Sequence, residues 1–204
     1  MLISRIHSRG VMPRRRRILA ERIAPLIPEG SSVLDVGTGD GAVAAAIRES
    51  GRGLTVTGID VLVREGAAIP VTRFDGVTIP YADGSHDVVL FVDVLHHTRD
   101  PQALLNEAAR VARRCVIVKD HDRNGPLAGP TLRLMDWVGN ARFGVALPYN
   151  YWSAQQWAAG YGKAGLRVLT RQTRIGLYPP WADWLFGRGL QSIAVLQKVA
   201  PRSG

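Results

Sequence analysis

The run Ser32-Val33-Leu34-Asp35-Val36 passes without a break into Gly37-Thr38-Gly39-Asp40-Gly41, and an alanine-rich stretch follows to about residue 50. An apolar strand, three alternating glycines and an immediate helix form a βα unit, and few folds begin that way. Glycines so placed let backbone approach a ligand where any Cβ would collide, next to the unpaired N–H groups of a helix start.

The rest of the chain repeats the alternation. Residues 32–36, 54–59, 71–77, 87–92 and 115–119 read as strands, with helices at 41–50 and 101–114. Pro101 at a first-turn position opens the second helix, and Leu104, Leu105, Ala108 and Val111 form its apolar face. Strand and helix in alternation imply a parallel α/β sheet. Residues 61–70 have room only for a stunted crossover helix, which trims the outer part of the sheet. After Lys119 the pattern breaks over 120–151, a stretch long enough to be functional. A helix at 153–164, capped by Ser153 and ended by Gly165, and strands at 166–174 and 192–199 close the chain.

With 204 residues and 46% hydrophobic composition, one domain with one sizeable core is expected: an N-terminal helical segment (1–30), a cofactor-binding half (31–119) and a substrate-side half (120–204) with an insert at 120–151. No apolar run reaches the roughly 18 residues of a membrane span, and a cytoplasmic location is the expectation. Cys115 lies alone in an apolar run and reads as a small buried hydrophobe. The net charge of +9 comes mostly from scattered arginines; the run Arg14 to Arg17 reads as the solvated start of an amphipathic helix continued by Ile18, Leu19, Ile23 and Leu26. A small-molecule substrate is expected in preference to nucleic acid, and a homodimer is left open.

The glycines alone leave two cofactor classes open. A dinucleotide site spaces them G-x-G-x-x-G to seat pyrophosphate. Here the third glycine comes one residue early, and Asp35 and Asp40 flank the turn. Those acids suit a cationic ammonium and sulfonium better than a phosphate. Asp60, 25 residues after Asp35 at the end of the next strand, can accept from both hydroxyls of a ribose and so indicates a nucleoside of either class. Downstream stand Arg73-Phe74-Asp75-Gly76-Val77, Ile79-Pro80-Tyr81-Ala82-Asp83-Gly84-Ser85-His86-Asp87-Val88-Val89 and Leu95-His96-His97.

Together these segments resemble the class I S-adenosylmethionine-dependent methyltransferases (the type 11-like family), in which a D-x-G-x-G-x-G strand end precedes an LP-x-x-D-x-S-F-D-x-V segment and an L-H-H helix start. The resemblance implies a Rossmann-like fold: a mostly parallel seven-stranded sheet with helices on both faces and an antiparallel last strand. It implies S-adenosyl-L-methionine as cofactor, its methionine part held by Asp35, Gly37, Thr38, Gly39 and Gly41. The ribose would lie on Asp60 beside Val61. The adenine would lie on Asp75, Gly76 and Val77, with Phe91, Val92 and Asp93 passing beneath. Two departures stand out: His86 replaces an aromatic residue, and the helix after Asp60 is shortened.

On the acceptor side, His97 and His121 are the candidate bases, since both follow strands at the ligand-binding end of an open sheet. Asp93 and Asp122 are near enough to orient them, while His96 and His97 can equally pack the next helix. No metal site is expected, because adjacent side chains of Asp120, His121 and Asp122 splay apart on extended backbone. Asp122, Trp137, Asn140, Tyr149 and Tyr151 are the candidate substrate contacts, with Asn150 a further amide. The aromatic content suits an apolar, lipid-like or secondary-metabolite substrate. Two other functions share part of this evidence: an NAD(P)-dependent oxidoreductase, and a non-catalytic methyltransferase-like protein that binds RNA or a partner.

Overall fold

A computed structural model describes residues 12–140, 150–178, 183 and 189–199, apart from the side chains of 135–140. One seven-stranded sheet runs through it: β1 (Ser32–Val36), β2 (Thr55–Asp60), β3 (Val71–Arg73), β4 (His86–Val92), β5 (Ala112–His121), β6 (Leu166–Gln172) and β7 (Gln191–Lys198). Their order is β3-β2-β1-β4-β5-β7-β6. Strands β1 to β5 pair in parallel, and β7 enters antiparallel between β5 and β6. This is the expected architecture. The strand order reverses between β1 and β4, which opens a crevice at their carboxyl ends where open α/β sheets bind ligands.

Helices α1 (Met12–Ile23) and α2 (Ala42–Arg48) cover one face, and α3 (Pro101–Val111) and α5 (Ala154–Lys163) the other. On the first face Ile18, Leu19 and Ile23 pack with Val33, Val88, Ile117 and Ile193. On the second, Leu104, Leu105 and Trp157 pack with Phe91, Val116 and Leu196. The caps follow local chemistry. Asp100 accepts from the Ala103 amide ahead of Pro101, and Ser153 forms a reciprocal capping box with Gln156, each cap contributing about 1 kcal/mol.

Three expectations need correction. Strand β3 stops at Arg73 instead of reaching residue 77, because Asp75 Oδ1 accepts from the Val77 and Thr78 amides (2.8 and 2.7 Å) and Gly76 turns at φ 84°. Residues 61–70 hold no helix at all; they pass as loop, with Ile69 buried in the core. The aperiodic stretch 120–151 contains α4 (Ala128–Asn140), whose signal Gly129, Pro130 and Gly139 obscure; the proline falls in the first turn, where its missing N–H costs no helix bond. No helix among the described residues is long and apolar enough to cross a membrane.

Candidate active site

The glycine turn sits at the end of β1, at the crevice. Gly37, Gly39 and Gly41 all have positive φ (74°, 63° and 71°). A Cβ on Gly37 would stand 2.7 Å from both Val94 methyls, whereas one on Gly39 would meet nothing within 4 Å. Gly37 is therefore required by packing, and Gly39 faces open space. The Gly37 and Thr38 amides bond back to the Ile59 carbonyl. The Gly39 amide donates to Asp60 Oδ2 at 2.8 Å, and the Leu62 amide to Asp60 Oδ1 at 2.9 Å. Each oxygen of Asp60 keeps a lone pair for a further donor.

Asp35 is buried. Its Oδ2 accepts from the Thr38 hydroxyl (2.6 Å), while Oδ1 is buried with no hydrogen-bond partner among the described residues. Burial, set against the Thr38 bond and reinforced by Asp60, pushes its pKa up to about 7. Asp75 is exposed, and the Thr78 and Val77 amides hold its carboxyl below the ordinary value. Both bonds fall on Oδ1. Val61, Leu62 and Val77 leave more than half their surface in solvent (53, 62 and 56% exposed), and Gly76 lies against Val61. Two carboxylates thus border an exposed apolar patch.

The residues of β4 separate by backbone and side chain. The Phe91 ring is wholly buried and packs into the second core cluster, and Val92 packs against the first. Only their backbone can border a cofactor. Asp93 has a left-handed backbone (φ 57°), a strained state for a residue other than glycine. Its carboxylate forms short ion pairs with Lys119 of β5 and with Arg15 of α1, and lies 3.7 Å from His121 Nδ1. Burial would raise this carboxyl, but Lys119 and Arg15 outweigh it and hold the group well below its usual range. Asp93 is therefore committed to two cations, which neither sequence motif announces.

The histidines come together in part. His96 is buried, and its Nδ1 bonds to Asp120 Oδ1 at 2.5 Å. Asp120 also accepts from the His121 amide (2.7 Å) and, through Oδ2, from the Leu95 amide (2.9 Å). His121 Nδ1 faces His96 Nδ1 at 3.5 Å, and burial, with His96 beside it, lowers the His121 pKa. His96, His121 and Asp120 each bring a ligand atom within 4.8 Å of the others, a grouping able to hold a metal ion that the splayed Asp120-His121-Asp122 triplet does not announce. His97 is half-buried, its ring 3.8 Å from that of His96.

Asp122 does not join the histidines. It pairs with Arg171 Nη2 of β6 at 2.8 Å, and its side chain is fully buried. Tyr151 is buried, stacks on His96 at 5.5 Å and donates to the Leu132 carbonyl. Asn150 donates its backbone N–H to the His96 carbonyl and its Nδ2 to the Thr98 carbonyl, so both its nitrogens serve the 95–98 turn. Trp137 and Asn140 belong to α4, but their side chains lie outside the described residues, as does Tyr149. His86 packs edge-on to Tyr81 at 4.7 Å, far from the crevice.

Sequence reasoning weighed His96 and Asp120 without pairing them, and missed Arg15 and Lys119 as partners of Asp93. Lys119 carried a signal, since a cation directly after Cys115-Val116-Ile117-Val118 on a central strand must be buried with a partner.

Comparison with known proteins places this geometry. The methyltransferase domain family matches residues 11–171. An uncharacterised methyltransferase of Mycobacterium sp. (strain JLS) is 37% identical over 124 residues, 56% of this chain and 48% of that protein. One from Mycobacterium tuberculosis (strain H37Rv) is 30% identical over 184 residues, 78% of this chain and 70% of that protein. The chain thus spans about half the length of some curated relatives it matches. Among solved structures, a SAM-dependent methyltransferase of Thermotoga maritima superposes with TM-score 0.68 at 20% identity, covering 96% of this chain and 94% of that one. The [4+2]-cyclase SpnF superposes with TM-score 0.64 at 16% identity, over 89% of this chain and 80% of that one, so the fold alone does not fix the chemistry. The family match, with the glycine turn and strand order already described, shows that the chain belongs to the class I S-adenosylmethionine-dependent methyltransferases.

Proposed function

We propose that this protein binds S-adenosyl-L-methionine across the carboxyl ends of β1, β2 and β4 and transfers its methyl group to a small, largely apolar organic acceptor. The observation that carries the reading is Asp35, a buried carboxylate with one unpartnered oxygen beside a glycine whose Cβ position is open. A buried acceptor without a donor is costly, and a ligand ammonium at that point satisfies it. The remaining contacts fit as well. Asp60 retains acceptor capacity for a ribose diol, Asp75 Oδ2 for an exocyclic amine, and the Val61, Leu62 and Val77 patch offers a surface for a flat base.

The cofactor supplies an activated methyl group, so the protein's task is alignment and exclusion of water. His97 is the better placed of the two candidate bases, because it keeps ring surface while His121 is closed in. Asp120 and Asn150 pin the turn that carries His97 from two sides. Tyr151, stacked on His96, contributes an apolar wall to the acceptor side.

Calorimetric titration with S-adenosylhomocysteine and with NADH tests the cofactor. S-adenosylhomocysteine should bind, and Asp60→Ala should weaken it by about 100-fold through loss of two charge-assisted bonds. Binding of NADH alone, or an unchanged affinity in Asp60→Ala, would overturn the assignment.

A further inference from the structure

On the α1 side of the sheet, five polar residues meet where the strands end. Arg15 gives one hydrogen bond, from Nη2 to Asp93. Lys119, only 1% exposed, also gives one, from Nζ to the other Asp93 oxygen. His121 lies beside that carboxylate and opposite Gln191 in the β5–β7 ladder. Gln191, 4% exposed, donates to the Tyr178 hydroxyl at 3.1 Å, while its Oε1 is buried with no partner among the described residues.

Among the described residues this arrangement is short of acceptors. A guanidinium has five N–H donors and an ammonium three, yet among these residues each sends one bond, to the carboxylate they share. Asp120 is occupied by two backbone amides and His96, and Asp122 Oδ1 is held by Arg171 on β6. Two cations therefore face one carboxylate in a largely dry setting, and the guanidinium, 30% exposed, is the part of the cluster that solvent reaches most. Buried charge without compensation is costly, and an incoming anion supplies it.

We infer that this cluster is the recognition point for the acceptor, and that the acceptor is a carboxylic acid whose carboxylate binds the free donors of Arg15 and Lys119, with a hydroxyl or N–H of the same molecule meeting Gln191 Oε1. The inference rests on the methyltransferase reading for the word acceptor. The binding site itself does not depend on it.

The probes are benzoate and hexanoate against their uncharged counterparts benzamide and hexanamide, titrated calorimetrically into the full chain with and without S-adenosylhomocysteine. The acids should bind about tenfold or more tightly than the amides, as charge-assisted bonds imply. Arg15→Gln should abolish that preference, and Arg15→Lys should retain part of it. A circular-dichroism melt of each variant confirms that α1 is still packed. Equal binding of acids and amides, or an acid preference that survives in Arg15→Gln, overturns the inference, the second by placing the anion elsewhere. If S-adenosylhomocysteine does not bind but the acid preference holds, the cofactor assignment fails and the anion site stands.

Discussion

The buried carboxyl of Asp35 makes cofactor affinity depend on pH in a way that can be worked out beforehand. Its pKa rises from 3.8 to about 7 in the folded chain, chiefly through burial. A shift of that size disfavours the ionised form by about 4 kcal/mol. Because the folded value lies above the unfolded one, the cost is absent in acid and grows as pH rises from the unfolded value through 7. A ligand ammonium beside Oδ1 needs the ionised form, so below about pH 7 binding must expel a proton. Affinity for S-adenosylmethionine should then fall towards tenfold for each unit of pH below the pKa, about 16-fold between about pH 7 and 5.5, and level off above about pH 7.5. Calorimetry in buffers of different ionisation enthalpy would count close to one proton released at about pH 6. Asp35→Asn should bind weakly with no slope, and its ligand-free form should melt higher than wild type in mild alkali. A wild-type affinity constant within about twofold over that range would refute the argument, as would a slope that persists in Asp35→Asn.

Other consequences concern single residues. Asp93→Asn leaves Lys119 and Arg15 facing each other and should cost about 3–5 kcal/mol in urea unfolding; asparagine tolerates the left-handed backbone, so the loss is electrostatic, and adding Lys119→Met should recover much of it. Gly37→Ala drives a Cβ onto Val94 and should cost about 2–4 kcal/mol, whereas Gly39→Ala should cost about 1 kcal/mol and instead reduce S-adenosylhomocysteine affinity; melts and titrations on the two variants separate the roles. Arg171→Met strands the buried carboxyl of Asp122, which burial already raises above its ordinary value despite Arg171. That variant should be destabilised more at about pH 8 than at about pH 5, where the carboxyl can take up a proton, and pH-dependent melts would show the difference.

What could be read in the sequence follows how far apart the interacting residues lie. The glycine turn, the helix start at Pro101 and the cap at Ser153 are written within a few residues of each other, and the sheet architecture came from the resemblance that several such motifs carry together. The failures have the same cause reversed. An Asp-Gly pair at 75–76 closes an Asx turn that ends β3, although Val71 to Val77 is apolar enough to continue it. Helix α4 was hidden because two glycines and a proline interrupt its period, though the proline sits in a turn that loses no bond.

The charged cluster was the least legible part, for a reason that reaches beyond this chain. Arg15 lies in a run of four arginines, and a run of like charges ordinarily lies in solvent. One of the four is drawn in because helix periodicity turns it towards the sheet, where Asp93, 78 residues away, stands on a backbone that leaves the strand at φ 57°. That left-handed step ends the extended run of β4, and the Asp93 carboxylate then meets Lys119 from the neighbouring strand. A motif search reads Asp93 as a cofactor or catalytic residue from its place after Phe91 and Val92, and misses that its charge is already committed. The chemically open groups are the ones that hold it: cations with donors to spare, at the carboxyl end of the sheet. The partners of the motif acid come from the neighbouring strand and from the helix the fold lays across it, and no local motif encodes them.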